Sequence, residues 1–174
     1  MKLRKVIIFS GARFSVPQGI QRIDHLATHG WQLRYGGTRL FSDGTPDGKG
    51  ARVALRRATD ELLARIARLP APSRLQVEPN ENKTSDLPVG ISGPIVRLRK
   101  GARVRESSLS VSLPRFGQAN RRTSIYIGTE NTYSIEKYRS ALEKAIRLRR
   151  EAELAYRRAV TKAKRVSGQR LKAT

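Results

Sequence analysis

The chain has 174 residues, with 36 lysines and arginines against 14 aspartates and glutamates, a formal net charge of +22. It has no cysteine, which excludes disulfides, thiolate metal sites and cysteine nucleophiles. The early apolar run Val6-Ile7-Ile8-Phe9 is too short for a signal-peptide core or a membrane span. So large a charge repels itself in a compact state and calls for a polyanionic partner, nucleic acid before a membrane surface. The expected location is the cytoplasm, in association with the nucleoid.

Lys2, Arg4, Lys5 and Arg13 surround the early apolar run, which reads as a strand or a docked arm. Residues 30–36 alternate, with Trp31, Leu33 and Tyr35 on one side and Gln32 and Arg34 on the other. Gly36-Gly37 is a two-residue hairpin signal, and residues 38–42 supply the partner strand. Residues 43–50 form a turn rich in glycine. Leu55, Ala58, Leu62, Ile66 and Leu69 recur at spacings of three and four and predict a helix over 49–69, which Pro70 and Pro72 end. Residues 70–87 lack periodicity and read as a linker.

The second half repeats the plan. Pro88 to Ile91 lead into a strand over 95–100, where Arg97 and Arg99 share the face of Ile95. The other parity, Val96 and Leu98, reads better as core. Arg103 and Arg105 belong to a basic loop. In residues 108–113, Leu109, Val111 and Leu113 point inward and Ser108, Ser110 and Ser112 outward. A turn over 114–122 ends in Arg121 and Arg122. In residues 123–127, Thr123, Ile125 and Ile127 face the core while Ser124 and Tyr126 face away. Ser134 is an N-cap and Glu136 suits the positive end of the last helix. That helix carries its apolar stripe on Ile135, Tyr138, Leu142, Ala145 and Ile146. Ser167-Gly168 is expected to end it, with disordered residues beyond.

The fold class expected is α+β, with two small units, each a three-stranded antiparallel sheet packed on one helix. The first spans 1–69 with its N-terminal arm, the second 88–150. Residues 70–87 link them, and 151–174 form a basic helical extension and tail. The shared order of elements points to an internal duplication.

The outward side chains are the candidate binding set. In the first unit these are Gln32 and Arg34, with Arg39 beside them across the hairpin. In the second they are Arg97, Arg99, Arg103, Arg105, Arg121, Arg122 and Tyr126. A two-stranded ribbon fits the major groove of duplex DNA, where arginine reads guanine and glutamine reads adenine. Phosphate contacts are the larger class. Ser108, Ser110 and Ser112 are small enough to let a duplex approach closely. Basic residues dominate 137–172, opposed only by Glu143, Glu151 and Glu153, a phosphate-tracking surface.

No catalytic constellation emerges. His25 and His29, the only histidines, lack the third ligand of a zinc site. The glycine clusters do not fit a phosphate-binding loop, and lone serines and lysines lack an orienting base. Asp24 and Asp43, at strand ends, suit turn or cap roles. The expectation is therefore a binding protein, with no enzyme activity, no cofactor, no metal and no membrane partner.

The stretch from Asn82 to Ser92, with Ile125-Tyr126-Ile127-Gly128 and Tyr133-Ser134-Ile135-Glu136-Lys137-Tyr138, resembles an AP2/ERF-like domain of the bacterial and phage type. The first half is similar to a companion unit of the same proteins at Ile23-Asp24, Thr28-His29-Gly30-Trp31, Phe41-Ser42-Asp43, Gly48-Lys49-Gly50 and Asp60-Glu61-Leu62-Leu63. Together the two resemblances cover about residues 18–150. They imply a three-stranded sheet, backed by one helix, that enters the DNA major groove with arginine and aromatic side chains, in a transcriptional regulator. The plant form's Tyr-Arg-Gly entry and Ala-Tyr-Asp helix motif are absent, and residues 100–107 make a long gap, so base preference does not carry over. The alternatives are an architectural, nucleoid-associated DNA-binding protein with little base preference and an RNA-binding accessory protein. An aromatic content of 6% argues against the RNA reading. Monomer and homodimer both stay open.

Overall fold

The computed structural model describes residues 1–45 and 47–173. In chain order they form β1 (Leu3–Ile7), β2 (Arg13–Pro17), β3 (Ile20–His25), β4 (Thr28–Arg34), β5 (Thr38–Ser42), α1 (Ala51–Arg68), β6 (Ile91–Arg97), β7 (Glu106–Leu113), β8 (Arg121–Thr129) and α2 (Ile135–Lys172). The class is α+β. The strands make three antiparallel sheets, β1-β2, β3-β4-β5 and β6-β7-β8. The chain divides into two compact units, Met1–Ala71 with the segment from Thr161 onward, and Pro72–Val160. These bounds differ from those the linker composition suggests, because residues 72–87 group with the second unit and Leu87 enters its core. Among the described residues no helix is long and apolar enough to cross a membrane.

In the first unit the period-two pattern of β4 sets the core. Trp31 and Leu33 are fully buried, and Tyr35 just beyond the strand is buried too. They pack with Ile20 against Ala51, Ala54, Ala58, Leu62 and Ile66 of α1. The alanines keep the helix close to the sheet, and the Trp31 indole N–H donates to the Ala51 carbonyl at 2.8 Å, as a buried indole requires. The early apolar run becomes β1 of a separate hairpin, which adds Val16 and the loop residue Ile8 to this core.

In the second unit Ile91, Leu109, Val111, Ile125 and Ile127 cluster with Ala141 and Ala145 of α2, and Tyr138, Leu142 and Ile146 pack around them. Ser134 caps the helix, since its hydroxyl accepts from the Lys137 amide at 3.3 Å. The Glu136 carboxyl, held by its own amide and by Ser134, lies below the usual carboxylate range.

Two expectations fail here. Val96 and Leu98 are not core, being 58% and 60% exposed. The β6–β7 register shifts between Ser92 and Ile95. Gly93 at φ +131° and Pro94, which has no amide hydrogen to pair, break the alternation there. Nor does Gly168 end the last helix, which runs to Lys172. Gly168 is buried in the first unit, where an added Cβ would meet Ile66 Cγ2 at 3.2 Å. Its missing side chain serves close helix approach.

Candidate nucleic-acid interface

Cross-strand partners share a sheet face, so the register assigns the faces. In β3-β4-β5, Gln21, Gln32 and Leu40 lie in one row, opposite in sense to the buried row of Ile20 and Leu33. Arg34 stands on the same outer face, paired with Thr38. Its Nε donates to Gln32 Oε1 at 2.5 Å, which orients the guanidinium along the face. Arg39 is not beside them. It pairs with Leu33 on the helix side, where it lies 5.1 Å from the Phe41 ring centroid and 3.9 Å from Glu61. Leu40 holds the place Arg39 was expected to take, because the hairpin register offsets the two strands by one residue from that reading.

In β6-β7-β8 the outer face carries a row of three serines, Ser92, Ser110 and Ser124, in register across all three strands. Beside it runs the row Ile95, Ser108 and Tyr126, with Tyr126 55% exposed. Arg122 pairs with Ser112 on this face, and Arg97 with Glu106. The rest of the predicted set divides. Arg99 pairs with Glu106 at 2.8 Å, and Arg105 with Glu130 at 3.0 Å. The Arg105 amide and guanidinium hold the Glu130 carboxyl below its usual range. Arg121 pairs with Leu113 and so has the opposite parity to Arg122. Arg103 is exposed in the connection between β6 and β7. The face thus gathers Arg97, Arg122 and Tyr126 and leaves Arg99, Arg105 and Arg121 aside.

Along α2, Arg139, Arg147, Arg150, Arg157 and Arg158 are exposed. Two cations of the expected phosphate-tracking set are committed elsewhere. Arg149 is buried, donates to the Ser112 carbonyl and pairs with Glu153 at 2.6 Å. Lys164 packs in the first unit with its ammonium 5.8 Å from the Tyr35 ring centroid, and burial lowers its pKa.

No family model matches the chain, and no curated protein or solved structure matches it.

Asp24, Asp43 and His29 form a polar network with Arg22. The Arg22 guanidinium makes two hydrogen bonds to Asp43, at 2.9 and 2.5 Å, and lies 5.0 Å from the Trp31 ring centroid. It also reaches Asp24 at 2.7 Å, while His29 Nδ1 lies 3.0 Å from the same carboxylate oxygen. Burial opposes the charge on Arg22, but bonds to Asp43 and Asp24 outweigh it and raise its pKa. Burial likewise opposes ionisation of Asp24, yet Arg22 and His29 hold its carboxyl below the usual range. These contacts make the group a brace for the first sheet rather than a ligand set. Among the described residues there is no group of three or more potential ligands that could hold a metal ion.

Sequence reasoning missed Ser92 and Ser124 as a row with Ser110, and Gln21 as the neighbour of Gln32. Each needs the cross-strand register, which alternation within a single strand does not supply. The hairpin turn at Gly36-Gly37 was the one available signal for the first sheet.

Proposed function

We propose that the protein binds double-stranded DNA sequence-specifically and regulates transcription, as two tandem AP2-like units, each a three-stranded sheet on one helix. The outer sheet faces enter the major groove. The observation that carries this reading is the helix-free face of β6-β7-β8, where a row of serines is flanked by Arg97, Arg122 and Tyr126. Small side chains let the sheet approach base edges, and the arginines supply the strongest base and phosphate donors. Gln32 and Arg34 present a second donor and acceptor set on the first sheet. The net charge of +22 supports a polyanion as partner.

A second reading, an architectural protein with little base preference, draws support from the exposed arginines of α2 and from the pairing of Arg99 and Arg105 with carboxylates. Selection of duplexes from a random library at physiological salt separates the two. The regulator reading expects one enriched motif, with Arg122→Ala or Gln32→Ala relaxing preference at a single base position by about 1–3 kcal/mol. An absence of any enriched motif, with affinity that falls steeply in salt and is indifferent to both substitutions, would establish the architectural reading instead.

A further inference from the structure

Between the N-terminal hairpin and the edge of the first sheet lies a groove of about 410 Å³, lined by Lys2, Leu3, Arg4, Gln18, Gly19, Ile20, Gln21 and Arg34. Its walls are pinned by three bonds. The Gln18 amide donates to the Lys2 carbonyl at 3.1 Å, the Arg34 amide to the Gly19 carbonyl at 2.7 Å, and Arg4 Nη2 to the Ile20 carbonyl at 2.6 Å. Gly19 takes φ +106°, a backbone conformation that lets the chain turn tightly between β2 and β3. Among the described residues no carboxylate lines it, and Lys2, Arg4 and Arg34 make no ion pair.

The floor is apolar, with Leu3 its exposed side chain, and the rim holds three cations and two carboxamides. Two of the cations are held before any ligand arrives. Arg4 is tied through one terminal nitrogen, and Arg34 through its Nε to Gln32, so its forked end is oriented at little further entropic cost. An apolar floor with a cationic rim fits the sugar and phosphate of a nucleotide. The groove is continuous with the outer sheet face, because Gln21 and Arg34 belong to both.

We infer that this groove clamps the sugar–phosphate backbone of a nucleic-acid strand as it leaves the first sheet face, with Lys2, Arg4 and Arg34 on its phosphates. The inference rests on the DNA-binding reading and sharpens it. It places Arg34 on the backbone, and it gives the N-terminal hairpin a binding role. A strand is favoured over a free nucleotide by that continuity and by the charge of the whole chain.

The test uses the full-length chain and measures duplex affinity against salt concentration for wild type, Lys2→Gln, Arg34→Gln and the double variant. Arg56→Gln on α1 is a control of equal charge change. Both groove side chains are exposed, and circular dichroism checks that the variants fold. Each groove substitution is expected to lower the slope of log K against log salt by about 1, and the pair by about 2, equally on all sequences. The control is expected to change it by less than half as much. Three outcomes overturn the clamp: groove variants whose slope matches wild type, an Arg34→Gln variant that relaxes preference at one base position with its slope intact, or saturable binding of AMP alone that the double variant loses. Wild-type protein that binds no duplex at any salt concentration overturns the DNA-binding reading itself, and the clamp with it.

Discussion

Beneath β3-β4-β5 the core holds a tryptophan, a tyrosine and a buried Arg22–Asp43 pair; beneath β6-β7-β8 the buried apolar side chains are all aliphatic, with Tyr138 packed at their margin and Ser107 buried on the same face. In the second unit the one buried cation, Arg149, reaches in from the helix and grips the end of β7. The two sheets repeat an order of strands and a helix, yet different interactions hold them. The first relies on a satisfied polar network whose loss leaves a buried charge. The second relies on apolar area, about 1.5–3 kcal/mol for each fully buried side chain.

The largest test of that contrast is Asp43→Ala. The Asp43 carboxylate is wholly buried and the Arg22 side chain nearly so, so removing one partner is expected to cost about 3–5 kcal/mol. Trp31 is the only tryptophan and is fully buried, so its fluorescence follows the first core. A loss below about 1 kcal/mol in urea titration would mean the pair contributes little and the contrast is wrong.

Next comes Leu109→Ala in the second core, expected to cost about 2–4 kcal/mol through lost burial and a residual cavity. Unfolding followed by far-ultraviolet dichroism should shift more than the Trp31 signal. Equal shifts in both probes would show that the cores unfold as one.

The smallest expected effect is in acid. The folded-state pKa of Asp24 is depressed, so its contribution is present above its unfolded value, about 4, and is lost as pH falls through the folded value. The Trp31-monitored midpoint in urea should therefore fall below about pH 4. Asp24→Asn should make that decline shallower, and an unchanged pH profile in the variant would assign the acid sensitivity elsewhere.

The strands with unbroken alternation are legible in the sequence. Trp31 and Leu33 in β4, Leu109 and Val111 in β7, and Ile125 and Ile127 in β8 are buried as their spacing predicts. Features that depend on two strands at once were not. Arg39 changed faces with the hairpin register, and the Gly93–Pro94 step removed Val96 and Leu98 from the core. The candidate site was half legible for the same reason: Gln32, Arg34 and Tyr126 follow from local alternation, but the separation of Arg122 from Arg121, the serine row across three strands and the Lys2–Arg34 groove follow only from pairing. Carboxylate partners of Arg99 and Arg105 were likewise invisible in a sequence where basic residues far outnumber acidic ones.

The first unit is discontinuous, and this bears on its synthesis. Residues from Thr161 onward complete it, with Gly168 seated on Leu63 and Ile66 and the Thr161 hydroxyl accepting from the Ala71 amide at 3.1 Å. A ribosome adds about 5–20 residues per second and ordinarily lets the leading domain fold first. Here the internal segment Pro72–Val160 is complete while the leading one still waits for its final turns of helix. The part made first closes last, and until then the surface of Leu63 and Ile66 is left for a chaperone or a neighbouring chain to meet.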